Sequence, residues 1–140
     1  MSAHSTRVAN WLRRTDHLVD FCERKIPRPG CPFPVSKDLF GLFDLMVIPP
    51  TGSAIGIQVT GESQRSHHIR KYEQDPQLAL ALRRWTATGN RFQLVQVRKR
   101  GFRYEWKRIW LVMDGDQVGY KESEWEKPHG GGEEREYAEM

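Results

Sequence analysis

The apolar positions of the chain recur at two spacings, and the changes between them mark out its elements. Val8, Trp11 and Leu12 lie at helical intervals after Ser5 or Thr6, either of which can cap a helix. The stripe can run on through Leu18, Val19 and Cys22 as one long helix, or break at a Thr15-Asp16 turn. The β-rich run Leu18-Val19-Asp20-Phe21 ahead of a proline-rich exit favours a strand over His17–Arg24, with Val19, Phe21 and Glu23 on one face. Prolines at 27, 29, 32 and 34 make 26–36 a connecting loop, without helix or central strand. Residues 42–49 and 53–60 are near-continuously apolar and are divided by Pro49, Pro50 and Gly52. They predict an antiparallel hairpin in a sheet covered on both faces.

A helix capped by Ser63 follows, through Ile69 and Tyr72. Asp75 with Pro76 opens a second helical stretch through Leu78, Leu82 and Trp85, which Gly89-Asn90 closes. Residues 91–98 alternate Phe92 and Leu94 against Val95 and Val97, and 104–113 place Trp106, Arg108 and Trp110 on one side. The order α-β-β-β-α-β-β predicts an α/β fold with a mixed central sheet. Beyond Asp114 the pattern dissolves. The Asp114-Gly115-Asp116-Gln117 turn lacks the closing Glu and the other ligands of a calcium loop.

Composition sharpens this picture in three ways. A chain of 140 residues is expected to form one domain, here residues 1–121, with 122–140 as an acidic, disordered tail. That tail carries seven Glu against Lys127 and Arg135, a balance of −5, which leaves +9 on residues 1–121. So basic a body predicts a polyanionic partner. No apolar stretch approaches the ~20 residues that span a bilayer, the N-terminus has no apolar signal region, and Cys22 and Cys31 have no metal spacing. The expectation is therefore a cytoplasmic protein with reduced thiols and no membrane partner.

The candidate chemistry lies between Lys37 and Lys71. Asp44 stands just ahead of the apolar run 45–48 of the first hairpin strand, and Gln58 and Thr60 share a face of the second. A segment with Arg65, Arg70 and Lys71 comes next. An acid, a polar pair and a basic helix in this order suit a metal ion held against a phosphate. Mg²⁺ takes oxygen ligands and one or two carboxylates. Asp44, the Gln58 amide oxygen and the Val59 carbonyl supply candidates, with Glu23 or Asp38 as a second charge. His67 and His68 point ~100° apart on a helix and lack a third ligand, so they do not predict zinc. Arg98, Lys99 and Arg100, near Phe102, Tyr104 and Trp106, suit contacts to phosphates and unstacked bases.

Asp44 and Gln58-Val59-Thr60, with the following helix, resemble the acid and (D/E/Q)-x-K motif of the PD-(D/E)xK nuclease superfamily. Within it the chain is similar to the small Holliday-junction-resolvase-like proteins of phages and prophages, over roughly residues 11–106. The resemblance implies a restriction-endonuclease-like three-layer α/β/α core. It also implies a Mg²⁺- or Mn²⁺-dependent endonuclease acting on branched or structured DNA in a bacterial or phage-infected cytosol, with a homodimer as the expected assembly. Asp44, Gln58, Thr60 and Lys71 take the catalytic positions, and Arg65, Arg70, Lys71, Arg98, Lys99 and Arg100 the DNA contacts. Thr60 departs from the motif, since it stands where the family has lysine and is neutral and short. Either Lys71, or Arg70 as a weaker substitute, brings the missing charge from the helix, or the chain is an inactive DNA-binding or adaptor module. A third reading is a protein-binding module whose acidic tail meets a basic surface.

Overall fold

A computed structural model describes residues 2–27, 29–30, 32 and 35–128. Helix α1 (Ala3–Arg13) is capped by the Ser2 side chain, which accepts from the Ser5 N–H. Strand β1 (Leu18–Phe21) follows, shorter than the 17–24 expected. The proline-rich region is not simply a loop. Its ends pair as β2 (Arg24–Ile26) and β3 (Val35–Lys37), a separate two-stranded sheet whose strands stop where the prolines begin.

The hairpin forms as the sequence predicts. Strand β4 (Leu45–Ile48) pairs antiparallel with β5 (Ile55–Gly61) in the register Leu45↔Ile57. A 3₁₀ turn (Glu62–Gln64) then leads into α2 (Arg65–Gln74), so Ser63 lies within the turn and does not cap the helix. The Asp75 side chain accepts from the N–H groups of Gln77 and Leu78 and opens α3 (Pro76–Ala87), as expected. The chain leaves α3 through Gly89, at φ +88°. Strands β6 (Arg91–Arg100) and β7 (Arg103–Asp114) come next, and then β8 (Gln117–Glu122), where the pattern predicts no element.

The main sheet has the order β1-β4-β5-β6-β7-β8. Its parallel pair is β5 with β6, joined across α2 and α3, and the other neighbours are antiparallel. Side chains alternate between two cores. Val8, Ala9 and Leu12 of α1 pack against Leu45, Val47, Ile57, Val59, Val95 and Val97. On the opposite face Tyr72, Leu78 and Leu82 pack against Phe92, Leu94, Ile109 and Leu111. The result is a mixed six-stranded sheet between α1 and the α2–α3 pair. Full burial of each such aliphatic side chain contributes about 1.5–3 kcal/mol.

Residues 122–128, assigned by sequence to the acidic tail, remain attached to β7. Ser123 N–H donates to the Arg108 carbonyl, and Trp106 and Glu126 exchange two backbone hydrogen bonds. Residues 129–140, the rest of that predicted disordered tail, lie outside the described residues. Among the described residues no helix is long and apolar enough to cross a membrane.

Candidate metal centre

Asp44 ends the loop before β4, and its backbone N–H donates to the Ile57 carbonyl, so the hairpin fixes its position. Its carboxylate is 6 % exposed and held from two layers. Ser5 Oγ of α1 donates to Oδ2 at 2.9 Å, and the Val59 N–H of β5 donates to Oδ1 at 3.3 Å. Burial, with the neighbouring Asp38 charge adding to it, raises the Asp44 pKa to about 7 against these two donors.

Glu23, past the end of β1, and Asp38, past the end of β3, complete a cluster. One ligand oxygen from each of Glu23, Asp38 and Asp44 lies within 4.8 Å of the other two. Burial raises the Asp38 pKa, Glu23 adds to the rise, and the Lys71 ammonium of α2 opposes it. The sequence left Glu23 and Asp38 as alternatives for the second charge. The fold brings both to Asp44.

Gln58 joins the cluster in a different sense from the one expected. In the amide orientation that satisfies both of its ends, the side-chain nitrogen donates to Asp38 Oδ2 at 2.9 Å and to the Leu42 carbonyl at 3.1 Å. Its oxygen therefore turns away from Asp38, because a carboxylate beside the amide attracts the N–H end. Ligation through that oxygen requires the amide to rotate. The Val59 N–H faces Asp44, and the N–H and C=O of one strand residue are directed to the same neighbour, so the Val59 carbonyl is directed to the same side. Thr60 lies on the Gln58 face of β5 and is buried, 6 % exposed. It carries no charge into the site.

Sequence reasoning passed over Tyr72 and Ser5. Tyr72 is 1 % exposed, and its hydroxyl has no hydrogen-bond partner among the described residues. Burial raises its pKa, and the charges of Asp38 and Asp44 add to the rise. Its apolar spacing in α2 marked it only as a core residue. Ser5, expected with Thr6 as a helix cap, lies inside α1 instead, since Ser2 is the cap, and nothing in its sequence neighbourhood signals a partner 39 positions away.

The predicted DNA contacts divide. Lys71, Arg70, Lys99 and Arg100 are exposed, with Arg100 4.0 Å from Glu62. Arg65 and Arg98 are engaged within the protein. Arg65 pairs with Glu122, while Arg98 pairs with Glu105 at 2.9 Å and lies 4.0 Å from the Trp125 ring centroid. The start of the acidic segment that the sequence set apart thus pairs with part of the basic surface. No protein family, curated protein or solved structure matches the chain.

Proposed function

We propose that the chain is a divalent-metal-dependent endonuclease of the PD-(D/E)xK type, with a restriction-endonuclease-like core, acting on branched or structured DNA. The observation that carries this reading is the convergence of Glu23, Asp38 and Asp44 within 4.8 Å of one another. The charges of Asp38 and Asp44 also act on Tyr72, whose buried hydroxyl has no hydrogen-bond partner among the described residues. Three carboxylates concentrated this way, one with its pKa raised to about 7, fit a hard divalent cation.

Glu23, Asp38 and Asp44 would hold Mg²⁺ or Mn²⁺, with the Val59 carbonyl and a rotated Gln58 amide as neutral ligands. The ion supplies Lewis-acid polarisation of the phosphate and a lowered pKa for attacking water. Ser5 and the Val59 N–H orient the Asp44 carboxylate. The Lys71 ammonium, close enough to act on Asp38, supplies the cation that Thr60 lacks and stabilises charge developing on the phosphate. Exposed Arg70, Lys99 and Arg100 bind the backbone.

The test incubates the full chain with four-way, flapped and linear DNA in Mn²⁺, Mg²⁺ or EDTA, with Asp44→Asn as control. Metal-dependent nicking that Asp44→Asn abolishes is the expected result. Salt-sensitive DNA binding without nicking under any of these conditions overturns the enzyme in favour of the binding module.

A further inference from the structure

The loop between β3 and β4 delivers Asp38 and Asp44 to the carboxylate cluster, and between them it turns Phe40 outward, 67 % exposed. Phe40 is held at φ +57°, a left-handed conformation that bulky side chains rarely adopt. The loop enforces it. Gly41 N–H donates to the Asp38 carbonyl at 3.0 Å, and Leu42 N–H donates to the Leu39 carbonyl at 2.9 Å. An aromatic ring kept in water on an unfavourable backbone does nothing for the stability of the free protein.

Phe40 forms one wall of a concave pocket of about 540 Å³, shared with Gln77, Leu80, Ala81, Arg84 and Trp85 of α3. Trp85, the second aromatic side chain of the lining, is held in place. Trp85 Nε1 donates to the Arg91 carbonyl at 2.6 Å, and its ring centroid lies 4.8 Å from that of Phe43. Phe43 in turn rests on Gly56, where an added Cβ would come within 2.5 Å of its ring. Among the described residues neither the Gln77 nor the Arg84 side chain has a hydrogen bond or ion pair.

A pocket lined by two aromatic rings, an amide and a guanidinium has the chemistry of a nucleobase site. An aromatic face offers a stacking surface, an amide suits a base edge, and a guanidinium suits the neighbouring phosphate. Phe40 is two residues from Asp38, so their Cα atoms are at most ~7 Å apart, about two 3.4 Å steps of a nucleic-acid strand. We infer that this pocket takes an unstacked nucleobase of the strand whose phosphate lies at Glu23, Asp38 and Asp44. The inference rests on the nuclease reading above, and it makes the substrate DNA with an unpaired base beside the bound phosphate. Fully paired DNA enters only at the cost of unstacking one.

The test measures binding of the full chain, Phe40→Ala and Phe40→Gly to a duplex with one bulged base and to its fully paired counterpart, in Ca²⁺. Both variants should lose about 5- to 100-fold on the bulged duplex and less than about twofold on the paired one. Phe40→Gly should melt no lower than wild type, because glycine accepts the left-handed conformation freely. Equal losses on both duplexes, or none, overturn the pocket. A changed oligomeric mass with unmoved DNA affinities also overturns it, in favour of an interface between copies. Wild-type protein that nicks bulged DNA in Mn²⁺ while Phe40→Ala binds it normally refutes the pocket alone. Wild-type protein that binds neither duplex refutes the pocket and the nuclease reading together.

Discussion

Ser5 Oγ in the first turn of α1 donates to Asp44 Oδ2 at 2.9 Å, across the buried boundary between a helix and the sheet. The bond favours the ionised carboxylate against its burial. Ser5→Ala should therefore push the Asp44 pKa further up and weaken Mn²⁺ binding at pH 7, with a stability cost of about 1 kcal/mol. Calorimetric titration with Mn²⁺ checks this, and the deficit should shrink as pH rises. An affinity equal to wild type at pH 7 would show that the Val59 N–H alone orients the group.

Asp44 also sets a pH dependence of stability. Its carboxyl titrates near 7 in the fold and near 3.9 in an unfolded chain, so between those values the folded state holds a proton that the unfolded state has lost. Stability falls as pH rises through that window, by at most roughly 1.4 kcal/mol per unit. Mg²⁺ or Mn²⁺ binds the ionised form and should restore the loss above pH 7 but do little at pH 5. Asp44→Asn should flatten the metal-free melting profile and remove the metal-induced rise. A variant with the wild-type slope would refute the assignment.

Lys71→Ala should lower cleavage by ~100-fold or more, the scale for losing one transition-state donor, with the carboxylate cluster and its metal affinity preserved. Lys71→Arg should restore DNA binding better than cutting, since a guanidinium keeps the charge in a different shape. Unchanged nicking by Lys71→Ala would remove Lys71 from the reaction and leave the metal site standing.

The C-terminal segment should restrain DNA binding. Glu122 pairs with Arg65 and lies 3.8 Å from Lys107, and Glu126 pairs with Arg108 at 3.0 Å. Glu122→Gln with Glu126→Gln should free these cations and tighten DNA binding most at low salt, where screening is weakest. Removing only 129–140 should leave those pairs intact and have the smaller effect. Affinity unchanged by the double substitution at low salt would make the segment a structural edge only.

Gly56→Ala should destabilise the protein by about 1–3 kcal/mol, the usual cost of overpacking. The new Cβ meets the Phe43 ring at 2.5 Å. A melting temperature equal to wild type would mean that the Phe43–Trp85 stack yields readily.

What the sequence revealed was local. Pro49, Pro50 and Gly52 between apolar runs specify the hairpin, Asp75-Pro76 specifies a helix start, and period-2 spacing puts Gln58 and Thr60 on one face. Strand β8 was hidden because it is mostly exposed and carries charge where an inner strand carries apolar side chains. Its partner β7 supplies the pairing, and no pattern within residues 117–122 reports that. The three-carboxylate cluster was half legible for the same reason. Asp44 sits in a motif, whereas Glu23 and Asp38 reach it through pairings between β1 and β4 and between β2 and β3. The neutralisation of Arg65 and Arg98 was illegible, since it depends on where the chain returns after β7.

Helix α2, which carries Lys71, buries one side chain, Tyr72, and that side chain has an unpartnered hydroxyl. The carboxylates instead stand on or beside strands of two hydrogen-bonded sheets. A local opening of α2 would carry Lys71 away from them while the sheet persists, because cooperative units with few buried apolar contacts open at lower free energy than the core. In native-state hydrogen exchange the amides of 69–74 should then lose protection before those of 55–61 and 92–97. The charge that Lys71 brings to the site would then come and go with the sub-global breathing of one helix, without unfolding of the domain.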